Sequence, residues 1–155
     1  MSANKIVTFL TFNDRAEEAV NLYTSIIHNS KIVSMNRYPE GGPAPAGSVM
    51  SAEFELEGQP FVALDGGPSF TFSQGTSLLV NCDTQEEIDE LWERLSDGGE
   101  EGPCGWLTDR FGLSWQIVPR VLGQLLSGPD PAKAQRVMQA MLQMSKLEIK
   151  KLQDA

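Results

Sequence analysis

The sequence predicts an α+β fold made of two β-α-β-β-β modules followed by C-terminal helices. Short apolar segments rich in β-branched residues have the length of strands. Two other segments carry apolar residues at helical spacing. The same order of elements occurs twice, offset by roughly 70 residues, which favours an internal duplication. We therefore predict a paired-module domain over 1–128, with modules at about 5–67 and 76–119, and a helical extension over 129–155.

The first module begins with an apolar segment at 5–12, which predicts a buried strand. Asn13 or Asp14 is expected to cap the following helix, because short polar side chains accept hydrogen bonds from unpaired backbone N–H groups. A helix over 15–28 is predicted from a stripe of apolar residues: Ala16, Ala19, Val20, Tyr23 and Ile27. Three further strands are predicted at 31–38, 48–57 and 61–65, with a Gly/Pro loop over 40–47 between the first two.

The second module repeats this order. A strand is predicted at 76–82, and Thr84 with Glu87 forms a capping-box pattern that starts a helix. The buried stripe of that helix is expected to be Ile88, Leu91, Trp92 and Leu95. A weak strand near 100–108, a turn over 109–112 and a strong strand at 113–118 follow. Strand alternation places Gln116 on the face opposite Trp115 and Ile117.

The C-terminal region is predicted to be helical. A short helical turn is expected over 121–126, and Asp130 with Pro131 marks a second start. From Ala132 to Leu152 the apolar residues, several of them methionines, keep a period near that of a helix. This apolar face either packs against its own domain or forms a dimer contact; the residues favour packing.

The composition excludes some classes of partner. The net charge of −9 argues against nucleic acid, which requires a basic surface, and no apolar run is long enough to span a membrane. Cys82 and Cys104 are far apart and belong to no CxxC pair, so we expect reduced thiols in a cytoplasmic protein without a secretory signal.

Five segments resemble the PhnB-like branch of the vicinal oxygen chelate superfamily, which has the glyoxalase/bleomycin-resistance fold. The most specific is CGWLTDRFGLSWQIVP at 104–119. The others are FLTFNDRAEEAVNLY at 9–23, VMSAEFELEGQPFVALDGG at 49–67, SLLVNCDTQEEIDELWERLSDGG at 77–99 and RVMQAMLQMSKLEIKKL at 136–152. Members of this branch often carry the label 3-demethylubiquinone-9 3-methyltransferase. The sequence does not support that activity, because it lacks paired G-x-G glycines after a strand.

The resemblance implies curled mixed sheets that form a cup, in which four strand residues of the superfamily bind a divalent metal. Those positions correspond to Thr8, to Asp65 or Ala63, to Ser77 and to Gln116. Hydroxyl and neutral amide oxygens bind divalent ions weakly, and one Asp cannot hold a catalytic ion tightly. We therefore expect neither a tightly held metal nor another cofactor.

The remaining prediction is a polar-lined cup that binds a small, partly apolar molecule. Its expected ligand-binding residues are Thr8, Asp65, Ser77, Trp106 and Gln116, with Phe9, Phe12 or Phe61 as other possible walls. No catalytic residue is assigned, and whether the protein is an enzyme stays open. The resemblance implies a homodimer. The alternatives are a metal-dependent lyase, isomerase or dioxygenase of the same fold, and an interaction protein that uses its Met-rich C-terminal helix.

Other polar residues allow two interpretations each. Arg37 with Tyr38 could pair a ligand anion or simply end a surface strand. Asp109 with Arg110 could also pair a ligand anion, although Asp before a glycine-bearing turn commonly binds its own backbone. His28 is expected to face water at a helix end.

Overall fold

The computed structural model describes residues 3–155, and the chain folds into two compact units that divide between Thr71 and Phe72. Each unit contains one β-α-β-β-β module with its own four-stranded mixed sheet. The predicted α+β fold and the repeated order of elements are therefore confirmed. None of the helices within residues 3–155 is long and apolar enough to cross a bilayer.

The first unit contains five elements. In chain order they are β1 (Thr8–Phe12), α1 (Ala16–Ile26), β2 (Lys31–Arg37), β3 (Val49–Leu56) and β4 (Gln59–Asp65). The strand order is β1-β4-β3-β2, and β1 runs parallel to β4 while the other pairs are antiparallel. The first strand of the module thus pairs with its last.

The core of the first unit lies between α1 and one face of this sheet. The predicted helix stripe is buried, and the Phe12 and Tyr23 rings lie 6.5 Å apart at a tilted angle. Phe54 stacks on Phe61 at 5.3 Å. The sheet contributes side chains from alternate strand positions to this core, because residues two apart on a strand point to the same face.

The start of α1 differs from the prediction that Asn13 or Asp14 caps it. The N-cap position is Arg15, whose side chain makes no capping hydrogen bond. Instead, Oδ1 of Asp65 accepts a hydrogen bond from the backbone N–H of Ala16 at 2.7 Å. Asp14 has a φ of 64°, which turns the chain rather than continuing β1 into the helix. The carboxylate at the end of β4 therefore satisfies the helix terminus.

The second unit repeats the topology of the first. Its module contains β5 (Ser77–Cys82), α2 (Gln85–Ser96), β6 (Glu100–Glu101), β7 (Trp106–Thr108) and β8 (Ser114–Pro119). The order is β5-β8-β7-β6, again with the first strand parallel to the last. The single weak strand predicted at 100–108 is two short antiparallel strands, because a turn closed by the hydrogen bond from Gly102 N–H to the Trp106 carbonyl interrupts it.

The start of α2 follows its local sequence pattern. Oγ1 of Thr84 accepts a hydrogen bond from the Glu87 N–H at 3.2 Å, and the Glu87 carboxylate accepts one from the Asp83 N–H at 3.0 Å. The predicted stripe is buried: Ile88, Leu91, Trp92 and Leu95. The Thr84 cap and the amphipathic helix are therefore confirmed, while the Glu87 carboxylate binds the N–H of the residue before the N-cap instead of that of Thr84 itself.

The C-terminal region contains three helices, α3 (Val121–Leu126), α4 (Pro131–Leu142) and α5 (Ile149–Asp154). The continuous helical period predicted from Ala132 to Leu152 is wrong as a single helix. Carbonyls of the intervening segment accept hydrogen bonds from outside it: Met144 from the Cys104 N–H and Ser145 from the Gly105 N–H, both at 2.8 Å. These carbonyls pair with the β7 hairpin instead of continuing a helical ladder.

A second contact holds the same segment to α2. Nε2 of Gln85 donates to the Leu147 carbonyl at 3.0 Å, and Oε1 of Gln85 accepts from the Ile149 N–H at 2.8 Å. One amide side chain thus replaces the two backbone partners that a neighbouring strand would supply.

The C-terminal helices have an apolar core of their own. Leu122, Val137, Leu147 and Leu152 are buried, and Val118, Met141 and Met144 pack against them. The Met-rich region therefore packs within its own unit. On its outer side, Met138 and Leu142 are 40% and 56% exposed.

Candidate functional site

The second sheet has one face packed on α2 and one face that α2 leaves uncovered. On β8 the buried side chains of Trp115 and Ile117 lie on the helix side, as strand alternation predicts. Gln116 lies between them in sequence and on the other side of the sheet. We call this second side the open face; its residues are Ser77, Leu79, Asn81, Glu100, Trp106, Thr108, Ser114, Gln116 and Val118. Of these, Ser114 is buried and Val118 packs against the C-terminal helices.

Register determines which residues surround Gln116. Gln116 lies beside Leu79 in the parallel β5–β8 pair and beside Trp106 in the antiparallel β7–β8 pair. Its Nε2 donates a hydrogen bond to Oγ of Ser77 at 3.0 Å. The structure therefore brings three of the predicted site residues together: Ser77, Trp106 and Gln116.

Leu79 is a member of this site that the sequence did not identify. Its side chain is 49% exposed although it sits in an apolar strand. The alternation of β5 indicates which face it occupies, but only the parallel register shows that it lies next to Gln116.

The first unit does not bring its two predicted residues together. Thr8 pairs with Phe61 at one end of the β1–β4 ladder, and Asp65 pairs with Phe12 at the other. Thr8 shares a strand face with the buried Leu10, whereas Phe9 is 53% exposed on the opposite face. Of the possible aromatic walls, Phe12 and Phe61 are buried. Their role in ligand binding stays a prediction.

The side chains at these positions do not fit a tightly held divalent metal. Gln116 and Ser77 are neutral and hydrogen-bond to each other, and Asp65 accepts the N–H of Ala16. Ala63, the other position considered for the second ligand, has no donor atom and is buried. Throughout residues 3–155, no three His, Cys, Asp or Glu side chains form a group that could hold a metal ion. Metal binding by hydroxyl and amide oxygens alone is weak.

Asp109 has a structural role in the turn before β8. It is 2% exposed, and its Oδ1 accepts hydrogen bonds from the Phe111 and Leu113 N–H groups at 2.9 and 3.0 Å. Its neighbour Arg110 donates to the Asp97 carbonyl at 3.1 Å. These contacts support the interpretation that Asp109 binds the backbone of its own turn.

Arg37 is similarly engaged within its own unit. Its guanidinium donates to the Glu17 carboxylate at 2.9 Å and to the Gly47 carbonyl at 3.0 Å. The hydrogen bond from Arg37 lowers the pKa of Glu17, and the same bond raises the pKa of Arg37. Arg37 thus ties the end of β2 to α1 and to the Gly/Pro loop.

The two cysteines are free thiols in different environments. Cys82 is fully buried; this burial, with the nearby Glu87 and Asp83 carboxylates, raises its pKa to about 12. A neutral buried thiol is a poor nucleophile. Cys104 is partly buried with a φ of 58°, and His28 is exposed just beyond α1.

Comparison with known proteins identifies relatives of the same fold. A family model described as 3-demethylubiquinone-9 3-methyltransferase matches residues 4–118. The solved structure of a PhnB protein from Bacillus cereus is 42% identical, with a TM-score of 0.70, and the match covers 75% of this chain and 99% of that one. Protein PA1353 from Pseudomonas aeruginosa is 25% identical with a TM-score of 0.62, covering 76% and 98% of the two chains.

A more distant match shows the fold alone. The fosfomycin resistance protein FosX from Listeria monocytogenes, solved with Mn(II) and sulfate, is 18% identical with a TM-score of 0.53. That match covers 76% of this chain and 92% of FosX. No curated protein matches the sequence.

Proposed function

Because the chain belongs to the PhnB-like family described as 3-demethylubiquinone-9 3-methyltransferase, we propose that it binds a small organic molecule on the open face of its second sheet, without a tightly held metal. The observation that carries this proposal is the hydrogen-bonded Gln116–Ser77 pair between Leu79 and Trp106. A few polar groups within an apolar surface are typical of small-molecule sites, where the polar groups orient the ligand.

The absence of a metal from the proposal follows from the chemistry of the side chains. FosX, a protein of the same fold, is described with Mn(II). In this chain Gln116 stands at the position that the superfamily resemblance gives to the fourth metal ligand, and its amide donates to a serine hydroxyl. A neutral amide provides neither the charge nor the basicity that a tight divalent site requires.

Methyl transfer, which the family's description names, is not part of the proposal. The sequence has no paired G-x-G glycines after a strand, the pattern with which many nucleotide-binding folds approach a cofactor. We therefore base the proposal on the open face rather than on that description.

A fragment screen on the full chain tests ligand binding. With ¹⁵N-labelled protein, we expect binding fragments to shift the Trp106 indole N–H and the Gln116 side-chain amide. The indoles of Trp92 and Trp115 serve as internal references, because they donate to Glu101 and Asp109 at 2.6 and 2.9 Å. A chemically diverse library that shifts neither Trp106 nor Gln116 would overturn the proposal.

A metal-retention experiment tests the alternative, a metal-dependent lyase, isomerase or dioxygenase of this fold. The protein is loaded with Mn²⁺, Fe²⁺, Ni²⁺ or Zn²⁺, dialysed, and analysed for bound metal. We expect little metal to remain. Near-stoichiometric retention that the substitution Gln116→Met abolishes would favour the enzyme and contradict the metal-free site.

A homodimer is a further part of the proposal. The exposed apolar side chains Met138 and Leu142 on α4 are one surface that such a dimer could bury. We expect a dimeric mass by light scattering and a shift toward monomer in Leu142→Glu, with Gln139→Glu as a charge-matched control on the same helix. A monomeric wild type would contradict this part, and a dimer unaffected by Leu142→Glu would place the contact elsewhere.

A cytoplasmic location completes the proposal. Both cysteines are free thiols, which reducing compartments preserve. Cell fractionation with an antibody against the chain should place it with cytoplasmic markers.

A further inference from the structure

The Gln116–Ser77 pair has hydrogen-bonding capacity that the fold does not use. Their contact occupies one N–H of Gln116 and one lone pair of the Ser77 hydroxyl. The amide oxygen of Gln116 and the hydroxyl proton of Ser77 have no further partner among the contacts of the described residues. The second Nε2–H of Gln116 is also unused, so the pair presents one acceptor, the amide oxygen, and two donors. In the flipped amide orientation, the Ser77 hydroxyl would donate to the Gln116 oxygen. The free donors would then be the two Gln116 N–H groups, and the free acceptor would be the Ser77 oxygen.

Two large apolar side chains flank this pair, and the strand residues of the open face carry no positive charge. Leu79 is 49% exposed beside Gln116, and the half-buried Trp106 indole lies on its other side. The open face, as defined above, includes no Lys, Arg or His. An anionic ligand would lose hydration here without gaining a counter-charge.

Resting on the proposed function, we infer that the open face selects neutral, planar molecules that carry a carboxamide or lactam next to an aromatic body. The ligand C=O accepts from the Ser77 hydroxyl, its N–H donates to the Gln116 amide oxygen, and its ring packs on Trp106. A carboxylate of the same shape lacks the N–H and adds a charge. A dialkylated amide keeps the C=O but also lacks the N–H.

Three probes of matched shape test this ligand class: benzamide, benzoate and N,N-dimethylbenzamide. Each is titrated into the full chain, and dissociation constants are obtained from the shift of the Trp106 indole N–H. We expect benzamide to bind about tenfold or more tightly than either analogue, because a site that hydrogen-bonds both ends of an amide rejects analogues that leave a group unpaired.

Two substitutions assign the selectivity to this pair. Gln116→Met keeps a similar side-chain volume and removes the amide, so it should weaken benzamide binding to the level of the analogues. Asn81→Ala removes an exposed amide from the far end of the neighbouring strand β5, beside Val118, and should leave all three affinities unchanged.

The outcomes separate this inference from the proposed function. If benzoate or the dialkylated amide binds Trp106 as tightly as benzamide, or if Gln116→Met preserves the selectivity, the ligand class is wrong while small-molecule binding stands. If neither these probes nor a diverse fragment library shifts Trp106 or Gln116, both fail.

Discussion

The carboxylate of Asp109 accepts a hydrogen bond from the indole Nε1 of Trp115 at 2.9 Å, with both side chains buried. The same carboxylate accepts two backbone N–H groups of the turn that leads into β8. Asp109 thus fixes the turn and the rotamer of the largest side chain on the helix side of β8. The position of Gln116, the next residue, depends on that anchor.

Replacing Asp109 is expected to destabilise the second unit strongly. In Asp109→Ala, the buried N–H of Leu113 and the indole N–H of Trp115 lose their acceptor, and each unsatisfied buried donor costs about 1–3 kcal/mol. We expect the free energy of unfolding to fall by about 2–4 kcal/mol in urea denaturation followed by tryptophan fluorescence.

A matched control is Asp83→Ala. Asp83 pairs with Arg120 at 3.0 Å, with both side chains well exposed, and such pairs contribute about 1 kcal/mol or less. Equal losses in the two variants would contradict the structural role of Asp109.

Asp65 should behave as a helix cap. Removing the acceptor of the Ala16 N–H in Asp65→Ala should lower the free energy of unfolding by about 0.5–2 kcal/mol, the usual range for a lost N-cap. Asp65→Asn retains an oxygen acceptor and should lose less than half as much. Glu18→Gln, which alters an exposed pair with Arg15, is the control and should have little effect. The prediction fails if Asp65→Ala is no more destabilising than Glu18→Gln.

Two glycines should respond in opposite directions to substitution by alanine. Gly105 has a φ of +85°, and a Cβ there would lie 2.8 Å from the Ile117 carbonyl oxygen, so Gly105→Ala combines strain with a backbone clash. Gly123 lies within α3 with nothing near its Cβ position, and Gly123→Ala should raise the free energy of unfolding by about 0.5–1 kcal/mol. Thermal and urea unfolding of both variants test this; a neutral Gly105→Ala would contradict the close approach.

Cys82 should resist thiol reagents until the protein unfolds. Its side chain is fully buried, and burial raises its pKa to about 12, so almost no thiolate is present at pH 8. We expect labelling with Ellman's reagent to modify Cys104 in the folded protein and Cys82 only in urea. Cys104→Ser should remove the reaction of the folded protein. Rapid labelling of Cys82 in folded Cys104→Ser would contradict the burial of this thiol.

The raised pKa of Cys82 also has a consequence for stability at high pH. An unfolded thiol has a pKa of 9.0, so between pH 9 and 12 the unfolded chain releases this proton while the folded chain retains it. The contribution of the thiol is therefore complete below pH 9 and is lost as the pH rises toward 12. Compared with Cys82→Ala, the wild type should lose stability more steeply above pH 9.

Features that depend on neighbours in sequence were predictable. The Thr84–Glu87 capping pattern and the buried stripe of α2 are set by residues within one or two helical turns. The face that Gln116 occupies follows from the two-residue period of a strand. These local rules also gave the order of elements, and therefore the fold.

Features that depend on distant residues were not predictable in the same way. The cap of α1 comes from Asp65, 49 positions away from Ala16, so no local pattern could replace Asn13 or Asp14 as the expected cap. The break between α4 and α5 arises because the Cys104 and Gly105 N–H groups bind carbonyls that the apolar period assigned to a helix. The proximity of Leu79 to Gln116 requires the register of two strands that are far apart in sequence.

The pairing of first strand with last, present in both sheets, has a consequence for how the chain folds during synthesis. Leu10 and Phe12 emerge from the ribosome long before β4, the strand that must lie beside them. Until then β1 is an unpaired edge with apolar side chains in water, a condition that favours aggregation. Because all four strands of the first sheet precede Phe72, that sheet can close before the second is complete. Because each sheet is formed by strands of one module, the pairings between strands stay within one half of the chain, and the two sheets can form one after the other.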